Sequence, residues 1–519
     1  MNRLTPLIFP AIALASGAVT TFAFAPFHLW PLQIVCLAIL AGLTLQTGRP
    51  RGAFFTGWAY GFASLASGLY WLYVSMHTYG GLNPLLAAAA VALLALFLGI
   101  LAGFACLLSR FFMKRWNAGN AVTALLIFPA FWTLSEWVRG WIVTGLPWLV
   151  TGYAHTGSPL AGYAPVAGVY GICFVSAVVS GAIAFFFNIE RGHWKSSLAT
   201  IIVILGLAFG AGTALRHIDW THPEGKPIQV RLLQGNIPQE FKFTPYQIQN
   251  ALKMYAGMIA EKPADLIVTP ETAIPIYIHQ LPEGYLRFLS QYAARSLSHL
   301  ALGMPLADTA TVYTNSLTVI APEDLDNPGL FSYRYNKHHL VPFGEFIPPG
   351  FRWFVRLMRI PLGDFTRGDP LQKPFRVKDQ WILPNICYED IFGEEIVAQI
   401  RNEYHAGHPT PTLLLNVSNI AWFGNTIALP QHLQISQMRS LETGRPMMRA
   451  TNTGATAVID PKGKIVAQLA PYTRGELDMT VQGTRGATPY IRFGNLTVLF
   501  LILLALVAAH VIAGKKRRY

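Results

Sequence analysis

Long apolar segments separated by short polar breaks fill the chain from its start to about position 215, at 7–26, 29–46, 53–76, 83–108, 121–143, 160–187 and 197–215. Each is close to the roughly 20 residues that cross a bilayer as a helix. A last apolar segment, 496–514, stops at Lys515, Lys516, Arg517 and Arg518. Between them the texture changes. Strand-like runs at 228–233, 266–269, 300–303, 316–320, 381–386 and 412–417 alternate with helical stretches at 246–259, 285–298, 392–403 and 432–443. Such alternation predicts an α/β layered domain, and 457–467 reads as a hairpin turning at Asp460-Pro461-Lys462-Gly463. The pattern therefore predicts a membrane domain of seven helices over 1–215, a large external domain over 216–490, and an eighth helix with a basic tail over 491–519.

Composition agrees: 52% of the 519 residues are hydrophobic and only 13% are charged, against about 25% in an ordinary soluble chain. The cations set the expected orientation. Arg49 and Arg51, then Arg110, Lys114 and Arg115, then Arg191 and Lys195 fall in every second connection, on the side of Arg3 and the basic tail. Intervening connections such as 77–81 have almost none. Both termini are thus expected in the cytoplasm and 216–490 on the opposite side. The net charge of +13 is then mostly a topological signal and calls for no nucleic acid. The first segment follows Arg3 as a signal peptide would, but no convincing cleavage site precedes Phe24-Ala25-Pro26-Phe27, so it is expected to stay as a helix. Glu136 and Arg139 interrupt the fifth segment one helical turn apart. A mutual ion pair is the simple account, with headgroup binding or bracing of the outer domain as functional alternatives.

Three of the four cysteines, Cys36, Cys106 and Cys173, fall in apolar segments as small hydrophobes. Cys387 is alone in the external domain. A thiol without a disulfide partner there is either used or deeply buried. No second cysteine or histidine stands at ligand spacing, so no metal is expected, and no glycine-rich phosphate motif calls for a cofactor. Cys387 follows a strand-like run and precedes a helix, where a nucleophile can protrude beside backbone N–H groups. Glu389 and Asp390 next to it oppose thiolate formation, so a cation from elsewhere is required. Two more segments share this strand-then-polar-turn layout: PETAIP with Glu271, and YNKHHLVPFGEF with Lys337 and Glu345. Taken singly, Glu271 and Lys337 also read as solvated loop charges.

The order Glu, Lys, Cys in PETAIP, YNKHHLVPFGEFIP and NICYE resembles the nitrilase superfamily. Joined to seven preceding apolar segments and one following, and to QGNIPQ (234–239), NVSNIAWFG (416–424) and QMRSLETGRPMMRATNTG (437–454), it resembles the apolipoprotein N-acyltransferase family. Phe243 stands after Lys242 where a family tryptophan is expected. The resemblance implies an αββα sandwich for the external domain and a bacterial inner-membrane location with that domain in the periplasm. It implies Glu271 as general base, Lys337 as the cation for thiolate and oxyanion, and Cys387 as nucleophile, with no cofactor or metal. A phospholipid, with phosphatidylethanolamine the expected one, would donate an acyl chain through a Cys387 thioester to the amino group of a diacylglyceryl-modified lipoprotein cysteine. Glu345 would orient Lys337 or the acyl intermediate, while Tyr388 and Glu389 would hold the pocket around the thiol. The plain alternative for both acids is hydrogen bonding to loop backbone. Lys337 would offset the acids beside Cys387, and the loops 340–353 and 361–373 would serve as lids. A membrane-anchored nitrilase-like amidohydrolase is the competing activity, and a transporter or sensor with a binding module is the third reading.

Overall fold

The computed structural model describes residues 5–188, 194–309, 311–326, 331–355 and 364–515. Arg3, Arg191, Lys516, Arg517, Arg518 and the stretch 361–363 of the second expected lid lie outside the described residues. The described chain forms two compact units, one from Met1–Tyr73, Asn83–Asp219 and Arg492–Tyr519, the other from Val74–Leu82 and Trp220–Ile491.

The first unit is helical. Among the described residues, five helices are long and apolar enough to cross a membrane: Pro84–Trp116, Asn120–Arg139, Pro159–Phe186, Leu198–Arg216 and Leu496–Lys515. That is fewer than the eight expected. Leu7–Ala23 and Trp30–Gln46 are apolar but shorter, and Pro50–Gly68 carries four glycines and Arg51. The third expected segment, 53–76, is also corrected in extent. Its helix ends at Gly68, and the chain continues as a short helix, Trp71–Val74, and a wide turn, Ser75–Tyr79. The fourth is longer than expected. It starts where the Asn83 side chain caps Leu85 N at 2.9 Å and ends where Asn117 turns left-handed at φ 57°. Lys114 and Arg115 thus lie in its last turn, where the helix dipole favours cations. The expected Glu136–Arg139 pair is present at 3.1 Å. Glu136 also accepts from Thr151 N at 2.7 Å, and Arg139 donates to the carbonyls of Leu146 and Trp148 at 2.9 and 2.6 Å. The pair therefore ties 146–151 to its own helix, which satisfies both charges locally.

Beside a short antiparallel pairing of His222–Pro223 with Thr484–Arg485, the second unit is built, among the described residues, on the strands of two six-stranded sheets. In chain order they are β1 (Ile228–Gln234), β2 (Leu266–Val268), β3 (His299–Ala307), β4 (Tyr313–Ile320), β5 (Tyr333–Asn336), β6 (Phe375–Val377), β7 (Gln380–Ile386), β8 (Leu413–Ser418), β9 (Met447–Thr451), β10 (Ala457–Ile459), β11 (Ile465–Gln468) and β12 (Gly475–Val481). One sheet runs β12-β1-β2-β3-β4-β5 and the other β11-β10-β9-β8-β7-β6. The pairs β1–β2, β2–β3, β7–β8 and β8–β9 are parallel, and the outer pairs are antiparallel.

Strand periodicity explains the layering. Ile228, Val230 and Leu232 of one sheet face Leu413, Leu415 and Val417 of the other in a shared core. The alternate residues point outward. Leu233 and Ile267 pack with Leu252, Tyr255 and Leu289 of helices Pro245–Glu261 and Tyr285–Ser296. Leu383 and Leu414 pack with Ile396, Ile400 and Leu433 of helices Gly393–His405 and Ala428–Thr443. The central strands read as unbroken apolar runs because both of their faces are covered. Helix, sheet, sheet and helix thus stack as four layers, and the strand ends carry the polar turns.

Candidate active site

Three turns at strand ends converge. Glu271 follows β2 by three positions, Lys337 follows β5 directly and Cys387 follows β7 directly. Close backbone approach makes this possible. A Cβ on Gly303 would sit 2.1 Å from the Pro270 carbonyl oxygen, and one on Gly368 would sit 2.1 Å from that of Asn336. Gly368 N also donates to the Lys337 carbonyl at 2.9 Å, fixing the lysine turn. Cys387 itself is left-handed, at φ 54°, a conformation that costs a non-glycine residue about 1–2 kcal/mol. It stands at the junction between β7 and the tight turn Cys387–Ile391, where such strain is commonly functional.

Lys337 lies between two carboxylates, with Nζ 3.1 Å from Glu271 Oε1 and 2.8 Å from Glu345 Oε1. The Asn315 side-chain amide donates to the same two oxygens at 2.7 and 2.8 Å. Glu271 Oε2 accepts from Asn419 N at 2.8 Å, and Glu345 Oε2 from Val341 N at 2.8 Å. All four carboxylate oxygens are therefore held by donors. Burial alone would raise the Glu271 pKa, but Lys337 and Asn315 outweigh it and hold the carboxyl below its usual range. Burial likewise disfavours the Lys337 charge, and its two carboxylates raise its pKa above the usual lysine value instead. The Cys387 thiol is pushed up to about 12 by burial and by Glu271, against the pull of Lys337. At neutral pH the resting site thus holds a neutral thiol beside an ionised Glu271, which is the arrangement a general base requires.

The acids beside Cys387 are neutralised differently from expectation. Glu389 accepts from Ile386 N at 2.7 Å, His338 N at 2.7 Å, His339 N at 3.2 Å and Tyr335 Oη at 3.0 Å. It is a buried clamp between the cysteine turn and the lysine turn. Asp390 pairs with Arg449 at 3.1 Å and accepts from the Ser436 hydroxyl. Lys337 pairs directly with Glu271 and Glu345; it acts on Glu389 through its charge, against burial, while Asp390 has Arg449 as its partner. Tyr388 lies among the rings of His339 and Phe392, with centroids 5.7 and 5.3 Å away. Of the six residues singled out in the sequence, the structure brings Glu271, Lys337 and Glu345 into direct contact, sets Cys387 within their electrostatic reach, and puts Glu389 and Tyr388 in the supporting turns.

Several neighbours of this cluster were missed. Asn315 on β4 and Asn419 after β8 hold Glu271. His432 meets the Cys387 carbonyl at 3.2 Å through Nε2, and Asn416 donates to it at 3.4 Å. Lys242 is buried beside Glu271, its Nζ 3.5 Å from the Glu271 carbonyl oxygen. The NVSN and QGNIPQ segments carried the signal for Asn416, Asn419 and the approach to Lys242, but not the contacts they make. Among the described residues no group of three His, Cys, Asp or Glu side chains is placed to hold a metal ion.

Residues 16–182 match the apolipoprotein N-acyltransferase N-terminal domain, and residues 229–490 match the carbon-nitrogen hydrolase family. Over 498 residues the chain is 48% identical to the apolipoprotein N-acyltransferase of Ralstonia nicotianae, covering 96% of this chain and 92% of that one. It is 42% identical over 535 residues to the same enzyme of Bordetella bronchiseptica, covering 98% and 97%. It is also 42% identical over 516 residues to that of Nitrosomonas europaea, covering 98% of both. Likeness of this extent spans both the helical unit and the four-layered unit, and on that ground the chain belongs to the apolipoprotein N-acyltransferase family.

Proposed function

We propose that this membrane protein transfers a fatty acyl chain from a phospholipid to the N-terminal amino group of a diacylglyceryl-modified lipoprotein cysteine, completing lipoprotein maturation. The carrying observation is the buried Glu271–Lys337–Glu345 cluster beside Cys387, with the base ionised and the thiol neutral. Glu271 takes the thiol proton as Sγ attacks the ester carbonyl carbon, and a tetrahedral oxyanion forms. Collapse expels the lysophospholipid, whose oxygen takes the proton back from Glu271, and leaves an acyl thioester on Cys387. The lipoprotein amine then attacks that thioester and gives its proton to Glu271. The thiolate departs and is reprotonated, leaving an amide. A thiolate leaves more readily than an alkoxide, so cysteine suits a transfer that ends on nitrogen.

Lys337 keeps Glu271 ionised and oriented, Glu345 holds Lys337 in place, and Asn315 fixes both carboxylates. Glu389 fixes the turn that carries the nucleophile, and Tyr388 lines it. Phosphatidylethanolamine is the proposed donor. The distribution of cations supports eight spans with 1–215 and 491–519 in the bacterial inner membrane, both termini cytoplasmic and 216–490 periplasmic. Incubating the purified protein with phosphatidylethanolamine should give an acyl adduct that a diacylglyceryl-cysteine peptide discharges much faster than water does. Equal discharge by water would make the protein a hydrolase of the nitrilase type instead.

A further inference from the structure

Around Cys387 the carboxylates outnumber the obvious cation. Glu271 and Glu345 share the single Lys337, so that cluster already carries one net negative charge before the thiol ionises. A thiolate, and after it an oxyanion, adds a second. In a buried site such an excess is strongly unfavourable unless another cation faces it.

Lys242 fits that need, and its surroundings are unusual. In Phe241-Lys242-Phe243 the lysine is 2% exposed while the flanking phenylalanines are 59% and 46% exposed. Hydropathy alone would turn this tripeptide the other way. The segment is held inward. Asn236 N and Ile237 N donate to the backbone and side-chain oxygens of Asn452 at 2.8 and 2.9 Å, and Asn452 Nδ2 returns a bond to the Ile237 carbonyl at 2.8 Å. Gln239 accepts from Asn419 Nδ2 at 2.9 Å. Asn419 is also the residue whose N–H holds Glu271. One asparagine thus ties the lysine segment to the general base.

The Lys242 ammonium makes one hydrogen bond, at 3.5 Å to the Glu271 carbonyl oxygen. Among the described residues no carboxylate lies within 4.0 Å of it. Burial pulls its pKa down to about 8, and negative charge at Glu271 and Cys387 pulls the other way. The charged groups in electrostatic contact with Cys387 are Glu271, Glu345, Lys337, Lys242 and Arg449, and of these cations Lys337 and Arg449 already face carboxylates. The Lys242 ammonium already feels the charge of Glu271, and it gains a second negative group when Cys387 ionises.

We propose that Lys242 is a charge-compensating positioning residue that pairs with the negative charge developing at Cys387, a role that rests on the acyl-transfer reading of the site. Lys337 holds the general base and also pulls on the thiol, and Lys242 adds a second cation to the charge developing at Cys387. The test is the pH dependence of Cys387 alkylation by iodoacetamide in the full-length protein, read by peptide mass spectrometry, beside the rate of thioester formation from phosphatidylethanolamine. Lys242→Met should move the alkylation profile to higher pH, slow alkylation at pH 8 at least tenfold and slow thioester formation at least as much. Lys242→Arg should recover most of both. The melting temperature of the methionine variant should equal or exceed that of the parent, because an unpaired buried charge is gone. Lys242→Gln gives the same reading if the methionine variant fails to fold. An alkylation profile identical to the parent's would overturn the proposal. If the parent forms no thioester at all while the profile still shifts, the acyl-transfer reading fails and the electrostatic role of Lys242 stands.

Discussion

Two buried charged clusters flank Cys387, and they are built to opposite rules. On one side Asp390 meets Arg449 at 3.1 Å, both fully buried, with Ser436 bonded to each and Arg449 contacting His432 at 3.0 Å. The charges there match one to one, and the partners of Asp390 lie on a strand and a helix. On the other side two carboxylates share one lysine, and a second lysine stands by without a carboxylate. The first cluster closes the structure. The second sums to zero at rest, two carboxylates against two lysines, but the Lys242 ammonium faces no carboxylate and is placed to meet charge that develops at Cys387, the condition for stabilising a transition state more than a ground state.

If that contrast is right, substitutions on the two sides should fail differently. The largest effect belongs to Cys387→Ala, which should cut acyl transfer by about 10⁴-fold or more with the melting temperature unchanged, as measured by product assay and thermal unfolding. Next comes Glu271→Gln, expected to lose about 10³-fold in rate while still folding, within the range for a positioned general base. Because the Glu271 carboxyl is held below its usual value of 4.5, the acid limb of the pH–rate profile should fall below 4.5 and vanish in Glu271→Gln. The sign for stability follows: the ionised Glu271 stabilises the fold fully above 4.5, and that contribution is lost as pH falls through its lower folded value.

On the closed side, Arg449→Met strands the buried Asp390 and should cost about 3–5 kcal/mol of stability. Denaturant unfolding would read that loss before any kinetic assay does. A melting curve equal to the parent's, with activity abolished, would reverse the assignment of the two sides. The smallest effect is expected from Glu389→Gln. It keeps the shape of the clamp but weakens bonds to the Ile386, His338 and His339 N–H groups, lowering stability by about 1–3 kcal/mol.

The same contrast explains what could be read from the chain. Glu271, Lys337 and Cys387 each close an apolar run with a polar turn, but singly the two charges also read as solvated; their order and flanking motifs, through the family resemblance, made them stand out. The layering was legible too, because 228–233, 266–269 and 412–417 are apolar enough to be buried on both faces. Arg449 and Asn315 were not. Their roles depend on register between strands, which brings Arg449 to Asp390 across 59 positions and Asn315 to Glu271 across 44. Lys242 was hidden by its phenylalanine neighbours, whose exposure runs against hydropathy. In the helical unit, apolar length located the helices, but the ends at Gly68 and Trp116 depend on caps and turns that hydropathy does not register.

The central claim is that the sulfur of Cys387 carries the acyl chain. It is tested most directly by incubating the protein with phosphatidylethanolamine alone, digesting it and mapping the added mass. One acyl group is expected on the peptide containing Cys387, removed by hydroxylamine as a thioester is and absent in Glu271→Gln at matched times. Acyl transfer at the full rate with no adduct on that peptide would contradict the claim.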